Sequence, residues 1–581
     1  MANKGLKSYT KQVEGSVGGS LHYFINANVN DANLIFTLPL ISTLGENTIS
    51  LNLFYNHQNR NNTFYYGNGF KSNFEKGLCD YESSIELQNS DGSIDKFPYN
   101  DKMEYECKET STIINKNVKS VNQDEDIISY EVIDKYNNVL KYQDSTDYPD
   151  EIRYNNGYKL NLGYYGINNN KGAKLEYTRS NSLVTKVVYT QTGVSNNQTI
   201  NISYDQNNRI NSIVKKICNR EVMSYTFDIK DNEVIVKDNM SSHTVKFEII
   251  GNKVVKVYEK YNSDYRIVYS FEYNNLITTI TNSSNEILNV VFDEQGLPIS
   301  EVDNNYNIVG KEYDKETLKV KKQSKVINIP RMKADSLIYE DNYNSIFELS
   351  DCFFIDEYKE TWGVLQLAGC KKTYNAYGKG SFIYRELIEY GLAGDNISMA
   401  FLVNYYNHYN PEGGNIIKVR LRTFQDDKVV DSKEEEVELC EECRLFTMGL
   451  VATKKYRYFE LEIVLEEEMS ISFGDIIILK KSISTLFTYD ENQNVSDVAN
   501  GNNTVSNKYN SQNMLEESID ETSNINKYYY DDKMNIREIH SSNNTKICNT
   551  YDDQKNITSQ TIKGLESTST MSYDYDLVGN V

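Results

Sequence analysis

The 581 residues include one tryptophan, five histidines and six prolines, and no apolar stretch approaches the eighteen or so residues of a membrane helix. Each scarcity excludes something. With so little proline, hydrogen-bonded strand ladders are seldom interrupted. With five histidines there is little room for a histidine-based acid–base or zinc centre, and none has a nucleophile or carboxylate at a diagnostic spacing. Basic residues are outnumbered, and the net charge of −22 makes nucleic acid and anionic membrane surfaces poor partners. No apolar segment follows Met1-Ala2-Asn3-Lys4-Gly5-Leu6-Lys7, so any secretion or cell-surface placement is expected by a route without an ordinary signal peptide. The nucleophile elbow, the P-loop and the His-Glu-x-x-His zinc helix are all absent from the sequence. Eight cysteines scattered over this length are not a small-domain disulfide framework.

What is abundant is tyrosine, 47 against 21 phenylalanines. Its apolar body and polar tip suit half-buried strands. Asn, Asp, Gly and Ser recur between short alternating runs, which is turn chemistry. The expected fold class is all-β, built from many short hairpins.

A repeated frame organises the chain: Tyr-Asp, three residues, Asn, then an aliphatic residue. Tyr530-Asp531 with Asn535-Ile536 and Tyr551-Asp552 with Asn556-Ile557 stand 21 residues apart. Further copies begin at Tyr489-Asp490 and Tyr575-Asp576, with degenerate ones at Ile133-Asp134, Tyr204-Asp205, Phe292-Asp293, Tyr313-Asp314 and Tyr509-Asn510. A period of about twenty residues marks a stacked-repeat architecture, because one hairpin cannot bury its own apolar face. The aromatic ring is expected to end a strand, the Asp to accept from turn amides, and the Asn to take the left-handed conformation of a tight hairpin.

The frame disappears between about 335 and 486, where longer strands alternate, as in Ile417–Arg422, Phe459–Leu465 and Ser470–Leu479. The expected organisation is an N-terminal arm over 1–35 with a flexible or turn-forming Gly15–Ser20, and a β region over 36–125 with an exposed loop at Asn56–Asn62. A repeat sheet follows over 126–330, then an inserted β-sandwich or jelly roll over 335–486, then further repeats over 487–581.

These residues resemble the Rhs/YD-repeat family. The repeats at Tyr530, Tyr551 and Tyr575 are similar to its Tyr-Asp-x-x-Gly-Asn pattern, and only the last keeps the Gly. Gly18–Tyr23, and Leu51–Asn56 followed by Gly67-Asn68-Gly69-Phe70, are similar to its opening segments. The insert resembles a carbohydrate-binding-module jelly roll, notably at Ser472-Phe473-Gly474-Asp475. The resemblance implies a sheet that spirals into a shell around a C-terminal toxin domain, or a cell-surface protein. It makes the chain an N-terminal part or a short member of the family, without the self-cleaving aspartyl core. The implied partners are the remainder of a longer chain or a toxin domain, and a glycan or cell surface.

Candidate chemistry is sparse. Cys440-Glu441-Glu442-Cys443 is open to three readings: half a zinc site, a disulfide, or plain packing. Glu434–Glu436 and Glu466–Glu468 read as solvated strand ends. For glycan stacking the candidates are Trp362, Tyr374, Tyr377, Tyr405, Tyr406 and Tyr409, in or beside Gly- and Asn-rich loops. No cofactor, metal or catalytic residue is expected, and the chain reads as a non-catalytic scaffold, or alternatively a glycan-binding module.

Overall fold

The computed structural model describes residues 7–574 apart from 8–9, 29–31, 42–48, 82, 101–103, 123–124, 145, 147, 193, 262, 306, 327–336, 341–347, 351–353, 359–372, 406–414, 440–443, 533 and 553–555. The described residues form 49 strands and one 3-10 turn, in large antiparallel sheets, so the chain is all-β. They divide into two compact units. One is 1–271 with 489–494 and 506–581, and the other is 272–488 with 495–505.

In the first unit, strands from Tyr105–Cys107 to Asp264–Asn274 each pair antiparallel with the next along the chain, and those from Asn503–Tyr509 to Thr568–Ser572 do the same. Proline sits where a ladder tolerates it. Pro39 lies at a register shift, Pro98 ends a strand and Pro298 begins one.

A five-stranded sheet, running Gln12–Val17, Leu21–Asn26, Leu34–Ile41, Leu51–Asn56 and Phe70–Ser72, covers part of this ladder. Strand Leu51–Asn56 alternates as its sequence implies, with Leu51, Leu53 and Tyr55 buried. Tyr23 and Phe36 pack on Phe247 at 5.0 and 5.5 Å, and Phe70 on Phe227 at 5.9 Å. The Tyr225 hydroxyl donates to Val17 O at 3.0 Å and accepts from the Leu21 amide at 3.2 Å, tying the first hairpin to the ladder. Gly18, at φ +63°, is obligatory there, since a Cβ would stand 2.1 Å from Asp238 Oδ2.

Of the two readings of Gly15–Ser20 the turn holds and the flexible arm does not: Gly15–Val17 is strand, paired with Leu21–Tyr23, and residues 18–20 make the turn between them. Asn56–Asn62 is not simply an exposed loop, because Asn56 caps a 3-10 turn, His57–Asn59, and Asn56 and His57 are 2% and 1% exposed. Sequence polarity misleads because these side chains bond inward: Asn56 Oδ1 caps the Gln58 amide at 3.0 Å and accepts from Asn33 Nδ2 at 2.9 Å.

In the second unit, strands Ile277–Asn282, Ile287–Phe292, Pro298–Asp303, Ile308–Tyr313 and Val320–Val326 continue the same pattern. The chain then leaves the ladder and returns at Ser484–Tyr489, which pairs directly with Val320–Val326 (Ser324↔Ser484, Lys322↔Leu486). The excursion forms a nine-stranded arrangement. Its organising strand, Tyr456–Leu479, joins the two runs read separately from sequence. Residues 458–465 pair with Ile416–Gln425, and 471–479 with Asn396–Tyr405. Ile417, Val419 and Leu421 meet Phe459, Leu461 and Ile463 in one core with Met399 and Phe401.

The excursion is docked on the ladder within this unit. Ser324, Thr447 and Ser484 bring three hydroxyls together at 2.6, 2.8 and 3.1 Å, and Lys322 Nζ bonds Thr447 O. Gly310 lies against Leu445, where a Cβ would stand 3.1 Å from the Leu445 Cβ. Thr447→Val, which removes the hydroxyl shared by Ser324 and Ser484, is expected to destabilise the protein by about 1–2 kcal/mol in denaturant melts.

His57 makes the fold acid-sensitive. Its Nε2 donates to the Asp231 carbonyl at 3.3 Å, so Nδ1 accepts from the Tyr55 hydroxyl at 2.8 Å and the ring is neutral. Burial, with Arg60 and Arg209 nearby, lowers its pKa from 6.5 to about 4, against the weaker pull of Asp231. The unfolded chain therefore takes up the proton first. The stability from a neutral His57 is complete above pH 6.5 and is lost as pH falls toward 4, with an upper bound of roughly 3 kcal/mol. Denaturant melts between pH 7 and 4.5 should show a steeper loss for the wild type than for His57→Gln, and parallel slopes would show that His57 does not titrate in that window.

Candidate functional site

The repeat frame is a turn whose side chains close it from inside. In the turn Asp531–Asn535, Asp531 Oδ1 accepts from the Asn535 amide at 2.8 Å and Oδ2 from Asn535 Nδ2 at 3.0 Å. Asp490 with Asn494 and Asp552 with Asn556 repeat both bonds, while Asp205 accepts from the Arg209 amide and Asp293 from that of Leu297. At Asp314 the Thr317 amide and the Lys321 ammonium hold the carboxyl well below its ordinary range. These carboxylates are spent on turns.

The Asn of the frame is not the left-handed residue. That conformation falls one position earlier, at Gln493, Asn513 and Met534 (φ 61, 59 and 65°), and at Gly296 in the copy that begins at Phe292. The Asn side chain instead bonds back to the Asp.

The tyrosine of the frame links successive repeats. Tyr530 Oη donates to Leu515 O and Tyr551 Oη to Ile536 O, both at 2.7 Å, and Tyr313 Oη donates to Pro298 O at 3.0 Å. In each case the acceptor is the residue at the aliphatic position of the preceding frame. Tyr204 reaches further back, to Val184 O at 2.7 Å, and Phe292 has no hydroxyl to donate. Tyr489-Asp490 ends its strand in the same way, whereas Tyr575-Asp576 lies outside the described residues.

Two further turns of this kind carry no tyrosine and are not marked by the longer frame. Asp303 with Asn307 and Asp520 with Asn524 make the same bonds, with Val302 and Ile519 where tyrosine would stand. The shorter signal Asp-x-x-x-Asn-aliphatic would have found them. It halves the repeat to one turn of about ten residues, as expected of paired hairpins.

Sequence gave no sign of a bridge between distant turns of the first unit. Lys135 Nζ donates to Asn494 Oδ1 at 2.9 Å, Asn494 Nδ2 to Asn513 Oδ1 at 3.0 Å, and Asn513 Nδ2 to Lys135 O. Burial draws the Lys135 ammonium down, against Asp490 and Asp134. The turn after Ile133 thus meets turns more than 350 residues later, which spacing along a single chain cannot reveal.

The proposed glycan candidates are placed unevenly. Trp362, Tyr406 and Tyr409 lie outside the described residues, as do Cys440 and Cys443. Tyr374 and Tyr377 belong to strand Thr373–Gly391, in register with Glu357 and Phe354. Tyr405 ends strand Asn396–Tyr405 and is half-buried against the insert core.

The acidic run Glu434–Glu436 is not a strand end. It lies within Lys428–Glu438 in a cross-strand charge ladder, with Glu434 bonding Arg420, Arg420 reaching Glu462 at 3.1 Å, Arg422 reaching Glu460 at 2.6 Å, and Lys418 bonding Glu466 at 2.8 Å. Alternation puts these charges on the face opposite Ile417, Val419 and Leu421. Glu460 and Glu462, the most buried carboxylates of the insert's core strands, are held by guanidinium groups. Among the described residues no group of His, Cys, Asp and Glu is arranged to hold a metal ion.

No family model and no curated protein matches this chain. Solved structures give low-identity likenesses. A TcdB2-TccC3-Cdc42 crystal structure aligns with 95% of this chain and 30% of its own, at 7% identity and a TM-score of 0.26. The family 11 carbohydrate-binding module from Clostridium thermocellum, in complex with a β-1,3-1,4-mixed-linked tetrasaccharide, aligns over 24% of this chain and 92% of its own, at 6% identity and a TM-score of 0.18. The enzymatically active domain of bacteriophage CBA120 tailspike protein 4 aligns over 23% and 18%, at 11% identity and a TM-score of 0.19.

Left-handed backbone costs a non-glycine residue about 1–2 kcal/mol, so Met534→Gly is expected to stabilise the array by roughly 1 kcal/mol. Tyr551→Phe, which removes the link to Ile536 O, should cost about 0.5–1.5 kcal/mol. Urea melts of both variants check the pair, and a destabilised Met534→Gly would refute the turn assignment.

Proposed function

We propose that this chain is a non-catalytic scaffold of the Rhs/YD-repeat kind, whose repeat sheet forms a wall that encloses or presents a further domain, a toxin in the family it resembles. The observation that carries this reading is the Lys135–Asn494–Asn513 bridge, which brings an early turn of the array onto late ones, as a wall that returns on itself requires. The repeat carboxylates and the best-buried carboxylates of the insert are consumed by turns and ion pairs, which supports a structural role. The insert rides on the wall as a carbohydrate-binding-like module and gives a second reading, contact with a glycan or cell surface. Both place the protein outside the cell, reached by a signal-peptide-independent route.

The test is a small protease-sensitive reporter appended after Val581. It is expected to resist added protease in the wild type and to be cut in Lys135→Ala/Asn513→Ala, with Thr447→Val as a control away from the bridge. A reporter cut in the wild type as fast as the free reporter would end the enclosure reading.

A further inference from the structure

Beside the hydroxyl cluster that docks the insert, the second unit has an open cavity of about 410 Å³. That is within the roughly 300–1,000 Å³ of small-ligand clefts. Its walls come from both partners of the seam: Glu312, Lys321 and Leu486 from the ladder strands, and Asn396, Lys433 and Val451 from the insert. Leu486 and Val451 are 47% and 37% exposed, so part of the lining is bare hydrocarbon. Gly501, at φ +61°, allows the two sides to approach, since a Cβ would stand 2.6 Å from Asn396 Oδ1.

The charges around this cavity are already matched. Lys321 pairs with Asp314 at 3.0 Å, Lys322 with Glu312 at 3.0 Å, and Lys433 with Glu435 at 2.8 Å. An ionic ligand would have to break one of these pairs and meet a group of its own sign close by. A neutral ligand need not, because an ammonium has three N–H donors and a carboxylate about four lone-pair sites, leaving capacity for hydroxyl groups. Bare aliphatic surface beside paired donors and acceptors suits a molecule with C–H faces and many hydroxyls.

We infer that this seam cavity is a binding site for a short neutral saccharide. It rests neither on the aromatic positions named from sequence nor on the enclosure reading. Because both sides of the seam contribute, a bound saccharide would also stabilise the docking of the insert on the ladder by mass action.

The test uses the full chain. Neutral gluco-, xylo- and galacto-oligosaccharides of two to four units, and uronate-bearing counterparts, are titrated by calorimetry and saturation-transfer NMR. At least one neutral saccharide is expected to bind saturably and raise the melting temperature. Ala499→Trp, which fills the cavity from strand Val495–Asn500, should weaken that binding at least tenfold. Leu486→Asp, at an exposed position, should do the same if the tryptophan variant does not fold. The inference is overturned if no neutral saccharide binds, if only uronates bind, or if both folded variants bind as the wild type does. None of these outcomes alters reporter protection, so the two readings fail separately.

Discussion

The ladder depends on closing a turn about every ten residues, over part of its length without help from a core. Each turn leaves backbone amides that must find acceptors, and in an array this long the cost of leaving them unpaired would accumulate. The Asp of each frame meets that need locally with its two carboxylate oxygens, and the following Asn returns a bond from its amide. The turn is thus stabilised by its own residues. That matters most over 489–574, where no apolar side chain among the described residues is buried. There the sheet relies on turn chemistry, backbone pairing and the tyrosine link from each repeat to the one before.

An earlier stretch of the ladder shows the complementary case. Over 183–257 the ladder buries Val184, Val187, Ile213, Val236, Phe247 and Val257 completely, because the five-stranded N-terminal sheet lies on it. Stacked repeats can be stable by two routes, local turn closure and a covering layer, and this chain uses them in different stretches. Tyrosine serves both. Its ring fills the covered face, as Tyr225 and Tyr189 do, and its hydroxyl reaches a neighbouring carbonyl where the face is open. This explains why tyrosine outnumbers phenylalanine more than twofold.

Local features were legible in the sequence and long-range ones were not. The frame at Tyr530 and Tyr551, its disappearance between about 335 and 486 and the alternating core strands of the insert follow from period and polarity, which are properties of neighbouring residues. The role of the frame's Asn was misread, because composition shows that Asn tolerates left-handed backbone but not which of two adjacent positions takes it. Asn56 and His57 were misread because their partners, Asn33 and Asp231, lie elsewhere in the chain and turn a polar run inward. The Lys135–Asn494–Asn513 bridge and the Ser324–Thr447–Ser484 cluster are pure tertiary contacts between common residues, and no single-chain pattern marks them.

The point of insertion follows from the same constraints. A domain placed inside a repeat would break a ladder and expose an edge that invites mispairing. Here the excursion leaves at the end of one strand and returns at the start of its antiparallel partner, so the Ser324↔Ser484 register is the one an ordinary hairpin turn would give. The inserted domain takes the place of a turn. It also inherits the turn's problem, since buried polar groups at that end must be satisfied. Thr447 and Lys322 meet it, the first with its hydroxyl against two serines and the second with an ammonium shared between Glu312 and the Thr447 carbonyl. Docking is therefore what allows a whole domain to stand where four residues would otherwise do.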